Sequence, residues 1–186
     1  MSLSRPVRLY LAGPEVFHQD GPAIAGRMRE TCRAHGLEPV SPLDAGDEPI
    51  EGADIAADRP MDEVIFANNV AMIEHADAVV ANMNHFRGPD PDAGSCWELG
   101  YGFGRGKRCY VFSDDGATAV ERVESFYGPV TRDEASGRPL DADGIFVEDF
   151  GGPYNLMLTA SSTVVFGDFE AAIARVAADV EAGLFD

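Results

Sequence analysis

The stretch Asp90-Pro91-Asp92-Ala93-Gly94-Ser95-Cys96-Trp97-Glu98-Leu99-Gly100-Tyr101 gathers the residues best suited to chemistry. Ser95-x-x-Glu98 has the form of a capping box, in which Ser95 opens a helix and Glu98 bonds back to the cap. A glutamate in a first helical turn also sits at the positive end of the helix dipole, which favours its ionised form. An ionised, partly buried carboxylate is what attack on an anomeric carbon requires. Glycosyl transfer with retention asks one carboxylate to attack that carbon and another group to manage the proton on the leaving group. Asp92 lies six residues before Glu98, across the turn into the helix, and can reach the same cavity. The plain alternative is a loop aspartate in solvent.

These residues need elements to hold them, and the hydrophobic pattern supplies a regular alternation. Val7-Arg8-Leu9-Tyr10-Leu11-Ala12 reads as a strand ending at Gly13-Pro14. Residues 21–35 suit a helix stopped by Gly36, and 37–40 a weaker strand whose proline suggests an edge. Residues 44–59 are acidic and rich in Gly and Ala, a loop. Residues 61–75 recur apolar at Ile65, Phe66, Val70 and Ile73, with Asn69 beside that helical face. A buried strand follows at 77–83, a polar loop at 84–94, a helix at 95–104 and a strand at 108–112. Residues 114–155 hold many Gly, Pro and Asp and read as one long loop, the kind that is functional or lies at an interface. A strand at 163–166 and an amphipathic helix at 169–183 close the chain.

Alternating strands and helices predict an α/β fold: one flavodoxin- or Rossmann-like domain over residues 1–186, with a mainly parallel five-stranded sheet and helices on both faces. In such folds ligands bind at the carboxyl ends of the strands. Those ends carry Gly13-Pro14, the 84–94 loop and Ser113, so the interesting residues fall on one rim.

A formal charge of -18 repels phosphate backbones and anionic membranes, which excludes nucleic acid and membrane surfaces as partners. A neutral small molecule suits this field better than a polyanion. Cys32, Cys96 and Cys109 are odd in number and far apart, which points to free thiols and a cytoplasmic setting. No basic-then-apolar leader precedes the first strand. The four histidines have no ligand spacing, so no metal and no cofactor are expected. Gly102-Phe103-Gly104-Arg105-Gly106-Lys107 looks like a phosphate loop but closes a helix instead of opening one; glycine at a helix C-terminus is the simpler account.

Four further segments join the central one: Leu9-Tyr10-Leu11-Ala12-Gly13-Pro14, Ala76-Asp77-Ala78-Val79-Val80-Ala81, Phe86-Arg87-Gly88 and, late in the chain, Pro153-Tyr154-Asn155-Leu156-Met157-Leu158. Taken in this order with Pro91-Asp92-x-Gly94-Ser95-x-x-Glu98-Leu99-Gly100, the pattern resembles the nucleoside 2-deoxyribosyltransferase family across residues 7–180. The resemblance implies a small-molecule deoxynucleoside and a free nucleobase as substrates. It implies Glu98 as nucleophile, Tyr10 as the group that orients it and Asp92 as a sugar ligand. It further implies a homo-oligomer in which Asn155 and Met157 complete a neighbouring subunit's site. Gly13 belongs to the same substrate-binding set. Much of the family carries an aspartate on the second helix as proton donor to the base; this chain has Asn69, which can hydrogen-bond a base but cannot supply that proton.

Two other readings stay open. The same apparatus could pass the sugar to water, including from deoxynucleoside 5'-monophosphates. Against a nucleotide, Gly13-Pro14-Glu15-Val16 puts an acid where a phosphate would want a basic or Ser-rich loop, and Arg87 is the one nearby cation that could offset it. The third reading is a non-catalytic nucleotide sensor on the same sheet.

Overall fold

The computed structural model describes residues 5–46, 48–56 and 58–185. Strands β1 (Arg8–Ala12), β2 (Glu38–Val40), β3 (Ala78–Asn82), β4 (Arg108–Ser113) and the later Thr163–Phe166 form one sheet. Its order is β2, β1, β3, β4 and then Thr163–Phe166, with every pairing parallel. The five-stranded α/β expectation holds. The chain reverses direction of growth between β1 and β3, the switch point where open α/β sheets form ligand crevices.

Alternation along the strands builds two cores. Leu9, Leu11, Ala78, Val80, Tyr110 and Phe112 face one way, against Cys32 of helix α1 (Gly21–Ala34) and Ile173 and Val176 of the C-terminal helix Phe169–Glu181. Tyr10, Ala12, Val79, Ala81, Cys109 and Val111 face the other way, against Met72 and Ile73 of α2 (Met61–His75) and Leu99 of α3 (Ala93–Gly104). A parallel sheet covered on both faces needs this double-sided apolar run.

Helix α3 lies close to the sheet because Gly102 allows it: a Cβ there would stand 2.5 Å from Val79 Cγ2. Its C-terminus closes as the glycines suggested. Gly106 takes φ 74, and Lys107 N donates to Gly102 O at 2.9 Å. Lys107 Nζ then donates to Glu74 O and Ala76 O, satisfying carbonyls at the end of α2.

Three expectations need correction. The buried face of α2 is Val64, Asn68, Ala71, Met72 and Ile73, whereas Ile65 and Phe66 are exposed. Phe66 packs instead on Trp97 of α3 (centroids 5.2 Å), which stacks on Tyr101. The long segment after β4 is not all loop: helix α4 (Ala119–Tyr127) opens on a Thr118–Glu121 capping box, and a short antiparallel pair, β5 (Thr131–Arg132) with β6 (Pro139–Leu140), follows. The four-residue helix α5 (Leu156–Thr159) precedes the last strand, β7 (Thr163–Phe166); the closing helix is α6 (Phe169–Glu181). Third, helix α3 begins at Ala93 under an Asp92 cap, ahead of the expected Ser95. The 44–59 segment is irregular chain after a single 3-10 turn (Pro42–Asp44); positions 47 and 57 lie outside the described residues.

Candidate active site

The cap of α3 decides where its side chains point. Asp92 Oδ2 accepts from Ser95 N and from Ser95 Oγ, both at 2.9 Å. The expected Ser95–Glu98 box is absent because a better acceptor lies three residues earlier. Glu98 therefore sits one turn deeper, free of backbone capping, and its side chain turns to β1 and α2. Tyr10 Oη donates to Glu98 Oε1 at 2.6 Å, and Asn69 Nδ2 donates to the same oxygen at 3.2 Å. No hydrogen bond from the described residues reaches Oε2. Strand β1, helix α2 and helix α3 thus converge on one carboxylate, each supplying one group.

A cavity of about 490 Å³ opens in front of it, within the size range of small-molecule sites. Asn69, Asp92, Ser95 and Glu98, with the glycines Gly13 and Gly94, are its polar lining. Val16, Phe17, Pro42, Leu43 and Ile65 are its apolar lining, with Phe17 able to stack on a flat heterocycle. Asp92 Oδ1, the oxygen not used in capping, is the one available for a ligand hydroxyl. No group of three or more His, Cys, Asp or Glu residues among those described could hold a metal ion.

The electrostatics differ from expectation. Burial pushes the Glu98 carboxyl up to about 7, the Tyr10 hydrogen bond pulls it back, and Asp92 pushes it up again. Desolvation outweighs the helix dipole, which weakens beyond the first turn. Glu98 is therefore not fully ionised at neutral pH, contrary to the expectation from a first-turn position. Tyr10, fully buried beside a carboxylate, is driven far above its ordinary value and remains a donor. Expected in consequence is an acid limb near pH 7 in any reaction that needs the Glu98 anion. Asp92→Asn keeps a capping side chain but removes the repelling charge, so the limb should move to lower pH; a kcat/KM–pH profile of both proteins measures it.

Tyr10, Gly13, Asn69, Asp92 and Glu98 come together as one constellation. Arg87, Asn155 and Met157 do not line this cavity. Arg87, with φ 56, lays its guanidinium over Phe86 and Phe17 at 4.8 and 5.7 Å. Asn155 caps α5 and donates to Glu148 Oε1 at 2.9 Å. Met157 is 70% exposed. Sequence reasoning missed the apolar lining, Phe17 and Leu43 above all, because neither lies near a charged motif.

Residues 9–157 match the family profile described as nucleoside 2-deoxyribosyltransferase. A 2-deoxyribosyltransferase of Leishmania mexicana superposes with a TM-score of 0.69 at 35% identity, covering 95% of this chain and 98% of that one. A 2-deoxyribosyltransferase of Bacillus psychrosaccharolyticus, at 19% identity and a TM-score of 0.53 over 88% of each chain, shares the fold. An uncharacterized protein of Schizosaccharomyces pombe is 30% identical over 80% of this chain and 74% of its own length. The profile match spans most of the chain, and the Leishmania protein resembles it nearly end to end. The chain belongs to the nucleoside 2-deoxyribosyltransferase family.

Proposed function

We propose that the protein exchanges the base of 2'-deoxyribonucleosides through a covalent deoxyribosyl ester on Glu98. The observation that carries this is the asymmetry of that carboxylate: Tyr10 and Asn69 both hold Oε1, leaving Oε2 as the unpartnered oxygen in a cavity-lining side chain among the described residues. Oε2 attacks C1' as the C1'–N bond breaks, and the bonding pair leaves with the base nitrogen, which is protonated from water. Asn69 can hydrogen-bond the base but cannot donate that proton, and Asp92 and Glu98 are the only titratable groups among the described lining residues. In the ester, Oε1 becomes the carbonyl oxygen and keeps the Tyr10 hydrogen bond, which polarises it for the return step. A nitrogen of the second base then attacks C1', the ester bond breaks, and the incoming base gives up its proton.

Asp92 Oδ1 and the Gly13 side of the cavity hold the sugar in this reading, and the apolar side holds the base. Incubation with deoxyinosine, with and without adenine, tests it. Deoxyadenosine formed only when adenine is present supports transfer. Hypoxanthine released at a rate indifferent to adenine means that water is the acceptor, and no turnover by folded protein means a binding module.

The assembly is part of the proposal. Met157, Phe150 and Leu156 are exposed apolar side chains on the segment that carries Asn155. An apolar patch beside a segment that fails to reach its own cavity suits contact with a second copy. We assign Asn155 and Met157 to the neighbouring subunit's sugar site. Asn155→Ala and Glu98→Ala should each be nearly inactive alone. Mixed, dissociated and reassembled, they should regain activity, because a mixed pair holds one site with neither lesion. Absence of recovery in proven mixed oligomers would place Asn155 elsewhere. No described helix is long and apolar enough to cross a membrane, and the three cysteines are unpaired, which supports the cytoplasm as its setting.

A further inference from the structure

Among the described residues that line the cavity, none carries a positive charge to hold a phosphate. A helix N-terminus is the common seat for one, but that of α3 is filled by the chain's own Asp92 carboxylate. The turn after β1 opens with Pro14, which has no N–H to offer, and continues to Glu15. Glu15 is fixed in place: its Oε1 accepts from Asn82 Nδ2, at the end of β3, at 2.6 Å. Its Oε2 rests against Gly13, so closely that a Cβ at that position would collide with it. Gly13 itself lines the cavity, so this carboxylate stands beside one residue of the cavity wall. No lysine, arginine or histidine is among the described lining residues, and the Arg87 guanidinium is stacked over Phe17 and Phe86.

With C1' at Glu98 and the base on the apolar side, the sugar's 5' substituent is left to the polar end bounded by Gly13 and Asp92. We propose that Glu15 is a specificity residue, which makes the site accept a 5'-hydroxyl and refuse a 5'-phosphate. This rests on the reading of the cavity as a deoxynucleoside site. Asn82 holds Glu15 against Gly13, so the charge is fixed where the phosphate would arrive. As a general estimate, two unit charges about 7 Å apart at an effective dielectric of roughly 20 to 40 repel enough to disfavour binding roughly ten- to fifty-fold. The mechanism discriminates by repulsion, and therefore needs no contact with the correct substrate.

Glu15→Gln tests it, because the amide oxygen can still accept from Asn82. Calorimetry would compare deoxyadenosine with its 5'-monophosphate in wild type and variant, at about 20 and about 500 mM salt. In wild type the monophosphate should bind at least roughly tenfold more weakly, and added salt should narrow the gap. In the variant the ratio should fall roughly tenfold and its salt dependence should weaken, the remainder belonging to Asp92. An unchanged ratio with both ligands bound overturns the role of Glu15 alone. Equal wild-type affinities overturn it too, and would turn attention to Arg87 or to a cation from a second copy. Failure of both ligands to bind folded wild type overturns the underlying site reading, and this inference with it.

Discussion

Glu98→Gln should lose at least about a thousandfold in base exchange and gain stability in the same step. The loss follows because an amide has no anionic oxygen to form the ester. The gain follows from linkage. In the folded chain Glu98 titrates near 7, against 4.5 for the unfolded side chain. A carboxyl whose folded value is raised binds more protons folded than unfolded between those two values. Its contribution to stability is therefore lost as pH rises from about 4.5 to about 7, and stays lost above. The full shift corresponds to roughly 3 kcal/mol at pH 8, an order-of-magnitude figure. The amide that replaces the carboxylate keeps an oxygen for Tyr10 and Asn69 and carries no charge to desolvate. Thermal melts of both proteins at pH 8 and pH 5 measure this. The variant should melt roughly 6 to 12 °C higher at pH 8, with the advantage shrinking at pH 5. Equal melting temperatures at pH 8 would mean that the carboxylate is not held at a cost. Such trade-offs between stability and activity recur at active sites.

Tyr10→Phe should lower kcat/KM roughly ten- to a hundredfold, the range for a hydrogen bond to a charged group. The ring is fully buried among Ala12, Val79 and Ala81, and phenylalanine fills the same space. The folded state should therefore persist. What goes is the 2.6 Å bond that holds Oε1 and pulls the Glu98 titration down. The acid limb should shift to higher pH, opposite in direction to Asp92→Asn. At high pH, where Glu98 is ionised in both proteins, part of the rate deficit should remain, because the ester has also lost its donor. Full recovery at high pH would reduce Tyr10 to a pKa-setting role. An unshifted limb would remove it from the nucleophile altogether.

The sheet and the site were legible in sequence to different depths. Strands β1, β3 and β4 are short apolar runs ending at turn residues, and helices that bury one face show it by spacing, so the order of elements could be read. The face of α2 could not. Ile65 and Phe66 look like core by periodicity, but Ile65 lines a cavity and Phe66 packs on Trp97, while Asn68 takes a buried position. Its amide holds the backbone of the preceding loop, accepting from Ile50 N and donating to Glu48 O, each at 3.0 Å. Helix α4 was missed although Thr118-x-x-Glu121 is a capping box, because Gly and Pro around it dominated the reading.

At the site, the residues of the central motif do meet, but two physical details were invisible. Competition between Asp92 and Ser95 for the helix start depends on backbone direction, and it moved Glu98 off the first turn. The balance of desolvation against dipole depends on burial, which spacing does not carry. Asn155 and Met157 were placed by resemblance, and a single chain gives them no cavity. Their contribution is a question of assembly and belongs to the mixing experiment.

The central claim is an ester between Glu98 and C1' of deoxyribose. The most direct measurement is intact and peptide mass spectrometry after rapid acid quench of the enzyme with deoxynucleoside and no acceptor base. The account predicts an added mass of about 116 Da, that of deoxyribose less water, on the peptide containing Glu98, which disappears when adenine is added before the quench. Base exchange proceeding at full rate with no adduct, or with the adduct on another residue, would contradict it.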